Sequence, residues 1–450
     1  MVYIYSIIGF IVALLAITLK IKAIILIFAF IYVIYCYRHT EKYFWFTYFI
    51  SLLLPIGDNN IINFISLNVY GKNINLIEMM QILIFLVIIT KNIKIRKIKI
   101  YSLTNIFYIT LMFLYIVYFI MGIVNGYDAI SDIKKYILQL TMAYCVYRVV
   151  SKTKDIYFFM NITLYSITLN SAIALFIYIT RKSPIWGIDY NQTRFGMNFE
   201  TLFIITISYV LFLLYNRIYC IKKINIILSL VMSVILIFLS QNRTNPILLA
   251  VSVFLMIVLS FKYKKKGRSR KEKLILLIFM FAIFIIPINN LMNSQNAFIE
   301  RLTQTKALKD ETNIKTRINT FEYYIGEIKA KPLGMGAGKT ITFIDADYRF
   351  QEEGFTIDNS YVTVGYKFGI VTLFIYMYFM FLPIFLLVKY YSIDKDKILI
   401  VILISYVMLI IAGSFLTSQI IHSYSVSTFV WVFIGFLHSK IFDKEMGGIG

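Results

Sequence analysis

The chain has 450 residues, 60% of them hydrophobic and 15% charged, with a formal net charge of +22. Soluble domains are nearer half apolar and a quarter charged, so this composition excludes a soluble fold for most of the chain. The positive balance raises a nucleic-acid partner, but the basic residues are dealt out among short breaks between apolar runs, as membrane topology requires.

Those runs are about 15–25 residues long, and a helix of about 20 residues crosses the hydrocarbon core of a bilayer. Only helices and closed barrels satisfy their backbone hydrogen bonds there. A barrel would alternate in polarity, and runs such as 226–239 and 274–288 do not. The sequence therefore predicts an all-α, polytopic membrane protein of about fourteen helices, within a range of about 12–14. In chain order the spans are 2–19, 23–37, 43–56, 74–90, 105–124, 136–150, 157–180, 199–216, 224–240, 245–261, 274–288, 361–388, 398–415 and 424–439. The first has neither a basic leader nor a small-residue cleavage site, and is expected to be a retained helix. Helices 1–11 then occupy residues 1–288. One large extracytoplasmic loop follows at 289–360, and helices 12–14 occupy 361–450.

The segment 262–273, KYKKKGRSRKEK, holds eight basic residues and one acid. It is expected to be cytoplasmic, because positive charge stays inside. Counting outward from it, the other loops predicted inside are also basic: 91–99 has five Lys or Arg, and 148–154, 217–223 and 389–397 have three each. Both termini then lie in the cytoplasm. Lys20 and Lys22, which fall outside, are the exception. Cys36, Cys145 and Cys220 are scattered, without CxxC or zinc spacing, and read as small buried hydrophobes.

Room for chemistry exists only on the outer side. The loop 181–198, RKSPIWGIDYNQTRFGMN, carries three basic residues where topology would leave few, and Arg194 stands close to Gly196. Arg243, in SQNRTN, falls between two spans near membrane depth, where an arginine needs a partner or a purpose. The large loop adds Arg301, Arg317 and Arg349. From Arg317, the spacing of Ile318, Phe321, Ile325 and Ile328 predicts an amphipathic helix on the membrane surface. Pro332 ends it. PLGMGAGKT, residues 332–340, follows as a flexible glycine-rich turn containing Gly334 and Gly336. It is not a phosphate loop, because Leu333 stands where that motif needs its first glycine.

Acids gather next: Asp345, Asp347, Glu352, Glu353 and Asp358. Asp358 and Asn359 precede the following span, and either suits a helix cap. The outer arginines read either as solvated anchors or as a phosphate site, since guanidinium forks bind phosphate oxygens bidentately. Asn-x-Thr triplets at Asn161, Asn191 and Asn242 read as chance in an Asn-rich chain.

Three segments resemble the O-antigen polymerase and O-antigen ligase superfamily. They are YNQTRFGMNFE, SQNRTNPILLAV, and TRINTFEYYIGEIKAKPLGMGAGK followed by DNSYVTVGYKFGIVTLFIY. The first departs from the family's Arg-x-x-Gly, with Arg-x-Gly here. Together they cover about the second half of the chain. The resemblance implies transfer of a glycan from an undecaprenyl diphosphate carrier to a lipid-linked acceptor sugar in the bacterial plasma membrane, with the active site on the extracytoplasmic face. The product would be capsule, O-antigen or exopolysaccharide. It places the essential arginines at Arg194 and Arg317, with Asp358 as a base or a cap. Arg243, Arg301, Gly334, Gly336, Asn359 and Tyr361 are then substrate-binding candidates. No metal or cofactor is required if arginines supply the positive charge. A flippase and a chain-length regulator are the implied protein partners.

Ligases of this family usually carry a histidine before the Asn of the last motif, where this chain has Asp358; this favours a polymerase, with a ligase as the alternative. A lipid-linked oligosaccharide flippase is the rival from another class. It calls for charge inside the spans and related halves. The spans hold few acids, Glu78 being one, and the halves show no similarity.

Overall fold

A computed structural model describes residues 22–53, 66–69, 72–92, 103–150, 155–181, 188–189, 192–193, 199–216, 222–239, 244–262, 312–345, 347, 349–354, 357–394, 397–417 and 419–447. In chain order its helices are α1 Lys22–Arg38, α2 Thr40–Leu53, α3 Leu76–Asn92, α4 Leu103–Val124, α5 Ala129–Val149, α6 Ile156–Arg181, α7 Leu202–Asn216, α8 Lys223–Leu239, α9 Thr244–Lys262, α10 Thr312–Ala330, α11 Ser360–Asp394, α12 Lys397–Ile410, α13 Gln419–His422 and α14 Tyr424–Gly447. A π-helical segment, Ile411–Leu416, continues α12. Every predicted span inside the described residues coincides with a helix. Spans 2–19 and 274–288 lie outside them, and with them the full count of fourteen.

Among the described residues, four helices are long and apolar enough to cross a membrane: Thr104–Val124, Ile156–Phe176, Ser360–Val388 and Ile398–Leu416. Shorter apolar helices run Leu202–Leu214, Lys223–Ile237 and Tyr424–Ser439. Large apolar side chains cover both faces of these helices. Phe113, Ile120, Val124, Phe176, Phe374 and Phe385 stay exposed, as side chains facing lipid would be.

Three antiparallel hairpins punctuate the helices: β1 Ser66–Val69 with β2 Lys72–Asn75, β3 Ile188–Asp189 with β4 Gln192–Thr193, and β5 Ile341–Ile344 with β6 Phe350–Gly354. They depart from the all-α fold that the apolar runs predict. Their strands are two to five residues long, too short for a recognisable alternation of polarity.

Helix contacts are close where glycine allows it. A Cβ on Gly435 of α14 would stand 2.2 Å from the Ala143 carbonyl oxygen of α5. Polar side chains inside the bundle find one another: Ser208 of α7 meets Ser252 of α9 at 2.9 Å, and Ser252 meets Ser405 of α12 at 3.3 Å. At the start of α3, Asn75 and Glu78 form a reciprocal capping box, and Lys134 of α5 reaches the Glu78 carboxylate at 3.1 Å.

α11 is two helices joined at a break. Gly369 has φ 76° and ψ 171°, outside the helical region and open to glycine alone without strain. The break frees backbone groups in mid-helix, and the glycine-rich turn takes them up. Met335 N–H donates to the Tyr366 carbonyl at 3.0 Å, Gly336 N–H to the Lys367 carbonyl at 2.9 Å, and Ile370 N–H to the Pro332 carbonyl at 2.8 Å. The turn predicted to be flexible is instead bonded, with Gly334, Gly336, Ala337 and Gly338 all buried.

Candidate active site

The site is built on α10 and the start of α11. α10 turns Asn319, Thr320, Tyr324 and Ile328 inward. Three of them clasp the segment beginning at β5. Asn319 Nδ2 donates to the Asp345 carbonyl at 2.8 Å. Thr320 Oγ1 accepts the Ile344 N–H at 3.0 Å and donates to its carbonyl at 3.3 Å. Tyr324 does the same with Thr342, at 2.7 and 3.2 Å. Burial raises the Tyr324 hydroxyl above its ordinary value, which keeps the proton it donates. The Tyr324 ring also meets Tyr366 of α11 edge-on at 4.7 Å. The predicted apolar stripe is therefore split. Ile328 packs into the protein, Ile325 is half-buried, and Ile318 and Phe321 remain exposed.

This packing holds α10 alongside the first half of α11, both running in the same direction. At their leading ends Arg317 Nε meets Asp358 Oδ2 at 2.9 Å. Their side chains are 57% and 43% exposed, so the pair is open to a ligand. Asn359 supplies the cap that the sequence allowed to either residue. Its Oδ1 accepts the N–H of Tyr361 at 3.0 Å and of Val362 at 3.1 Å, which leaves the Asp358 carboxylate free for Arg317. Thr363 tightens the same corner, with Oγ1 accepting the Ile357 N–H at 3.0 Å and donating to the Asn359 carbonyl.

The other candidates divide. Tyr361 is buried, its ring 4.7 Å from Phe415 of the π-helical segment. Gly334 and Gly336 face backbone: a Cβ on Gly334 would stand 2.4 Å from Gly369 N, and one on Gly336 3.2 Å from Gly122 N. Asp345 shapes the hairpin, its Oδ1 accepting the N–H of Asp347 and Arg349 at 2.8 and 2.7 Å, and both those residues are exposed. Arg194, Gly196, Arg243 and Arg301 lie outside the described residues, as do the side chains of Glu352 and Glu353.

One constellation went unread in the sequence. Lys367 Nζ contacts Asp132 Oδ2 at 2.7 Å, with side chains 0% and 1% exposed. The same oxygen accepts the Gly338 N–H at 2.6 Å. The available signal was a lysine inside the predicted span 361–388, because an ionisable residue there needs a partner.

Residues 228–377 match a protein-family model, Wzy_C, described as O-antigen ligase. The matched segment contains Arg243, α10, the glycine-rich turn, Asp358 and the first half of α11, and the match supports the O-antigen ligase and polymerase superfamily. The match, over a third of the chain, together with the apolar helices supports a membrane glycan enzyme of the O-antigen ligase or polymerase type. No curated protein matches it.

Proposed function

We propose that this protein is a polysaccharide repeat-unit polymerase of the bacterial plasma membrane, multi-pass, with both termini cytoplasmic and its site on the outer face. It transfers a glycan from an undecaprenyl diphosphate carrier to the sugar of a second lipid-linked unit. The observation that carries the reading is the contact between Arg317 and Asp358 inside the family segment. A permanent cation and a carboxylate stand together, exposed, on a well-packed frame.

In this reading Arg317, with Arg194 and Arg243, holds the donor diphosphate and stabilises its charge as it leaves. A diphosphate that engages Arg317 competes with Asp358 for the guanidinium and releases the carboxylate towards the acceptor. Asp358 then takes the proton of the acceptor hydroxyl. The hydroxyl oxygen bonds to the anomeric carbon, the carbon–phosphate oxygen bond breaks, and the carrier departs as its diphosphate. The capsule, O-antigen or exopolysaccharide made this way grows by whole repeat units. Asp358, where the related ligases carry histidine, supports the polymerase over the ligase.

The test is deletion of the gene and electrophoresis of the surface glycan. Loss of the ladder with single repeat units retained is the expected result. A ladder left intact overturns the reading, and long chains accumulating unattached on the carrier would mark a ligase.

A further inference from the structure

The ion pair of Asp132 and Lys367 takes no part in the chemistry just described, yet it holds the most deeply buried charges in the described fold for which a partner is seen. Two ions removed from water at 0% and 1% exposure are costly, and their mutual attraction offsets that cost only with good geometry and added hydrogen bonds. The geometry is close and one hydrogen bond is added, while Asp132 Oδ1 is buried with no hydrogen-bond partner among the described residues. The contact is 2.7 Å, and Asp132 Oδ2 also accepts the Gly338 N–H at 2.6 Å. Tyr115, Tyr136 and Phe368 close an aromatic cage beside it, with ring centroids 4.7–5.4 Å apart.

The pair lies where three elements converge on the turn 332–338. Lys367 sits two residues before the break at Gly369. Asp132 is in the first turn of α5. Ala337 N–H donates to the Tyr118 carbonyl of α4 at 3.0 Å. A Cβ on Gly122 would fall 2.1 Å from the Ala337 carbonyl oxygen, and one on Gly338 2.3 Å from the Asp128 carbonyl carbon. The turn thus fills a slot with no spare room. It is also the trailing end of the frame whose leading end presents Arg317 to Asp358. α10 runs from Arg317 into Pro332, and α11 runs from Asp358 to the break that receives the turn.

We infer that Asp132 and Lys367 are positioning residues: their ion pair locks the glycine-rich turn into its slot between α4, α5 and α11, and through α10 holds Arg317 against Asp358. This rests on the reading of Arg317 and Asp358 as the reacting pair. Lys367 and Gly338 share Asp132 Oδ2, and a charge-assisted hydrogen bond is about twice as strong as a neutral one.

The double variant Asp132→Asn with Lys367→Met tests this on the full chain in nanodiscs. It keeps an oxygen for Gly338 and removes both members of the pair together, so neither is left as an unpaired buried charge. Amide hydrogen exchange at Met335 to Gly338 is expected to speed up by roughly tenfold, the factor that corresponds to about 1.4 kcal/mol lost when a charge-assisted hydrogen bond becomes a neutral one. Turnover in chain extension, assayed with lipid-linked repeat units, falls by a similar factor at unchanged melting temperature and acceptor KM. Should the double variant fail to assemble, Asp132→Glu, which keeps the charge but misplaces it by one methylene, is measured for the same changes. Unchanged exchange in the turn overturns the inference, and so does faster exchange with wild-type turnover. Arg317→Ala is assayed in parallel: wild-type extension there sinks the polymerase reading, while exchange at the turn still judges the latch.

Discussion

The carboxylate of Asp358 faces the guanidinium of Arg317 because its neighbour Asn359 has taken over the capping of α11. Two adjacent polar residues with nearly the same side-chain shape thus make different contacts, one capping a helix and the other pairing with a cation.

Arg317→Ala and Asp358→Asn are each expected to abolish long-chain glycan at normal protein level. The contact is solvent-exposed, and exposed pairs contribute at most about 1 kcal/mol, so the melting temperature should move little. A variant with a full-length ladder would remove the residue from the site. Arg194→Ala is expected to behave in the same way.

Asn359→Ala should show the opposite pattern. Losing a side-chain cap costs about 1 kcal/mol, which thermal unfolding of the purified protein reads directly. Partial glycan synthesis is expected to survive, since Asp358 and Arg317 are untouched. Complete loss of activity with unchanged stability would instead mark Asn359 as a substrate contact.

The glycines differ sharply from one another. Gly334→Ala and Gly338→Ala put a Cβ within 2.4 Å of neighbouring backbone at positive φ, and should prevent accumulation of folded protein. Gly326, exposed on α10 with nothing within 4 Å, is the control. Gly326→Ala should be neutral or stabilise by about 0.5–1 kcal/mol, since alanine favours helix. Equal expression of all three, followed by fluorescence-detected size exclusion, separates the outcomes.

Tyr324→Phe removes the hydroxyl shared by the Thr342 N–H and carbonyl, leaving both without that partner. A loss of about 1–3 kcal/mol is expected, measured by thermal unfolding. Chain extension should weaken as β5 loosens from α10. Wild-type stability would show that water replaces the hydroxyl without cost.

Much of this was legible in the sequence. Unbroken apolar runs gave the helices, and the described ones end within a few residues of the predicted spans in most cases. The regular spacing from Arg317 gave α10, and Pro332 gave its end. Asp358 and Asn359 were recognisable as a pair of candidates, but only the hydrogen bonds of Asn359 assign the cap. The seating of PLGMGAGKT could not be read, because glycine signals a freedom of backbone and not whether packing uses it. Here positive φ and close approach use it fully. The break at Gly369 hides in an apolar run for the same reason. The partnership of Lys367 with Asp132 joins residues distant in sequence, and only tertiary structure brings them together.

The slot that receives the turn is made by Tyr118, Gly122, Asp128 and Asp132, all upstream of the segment matched by the family model. That segment is consequently not an autonomous module. During synthesis the receiving helices emerge first and wait for their insert, and a fragment beginning at residue 228 would reach the bilayer with nowhere to dock it.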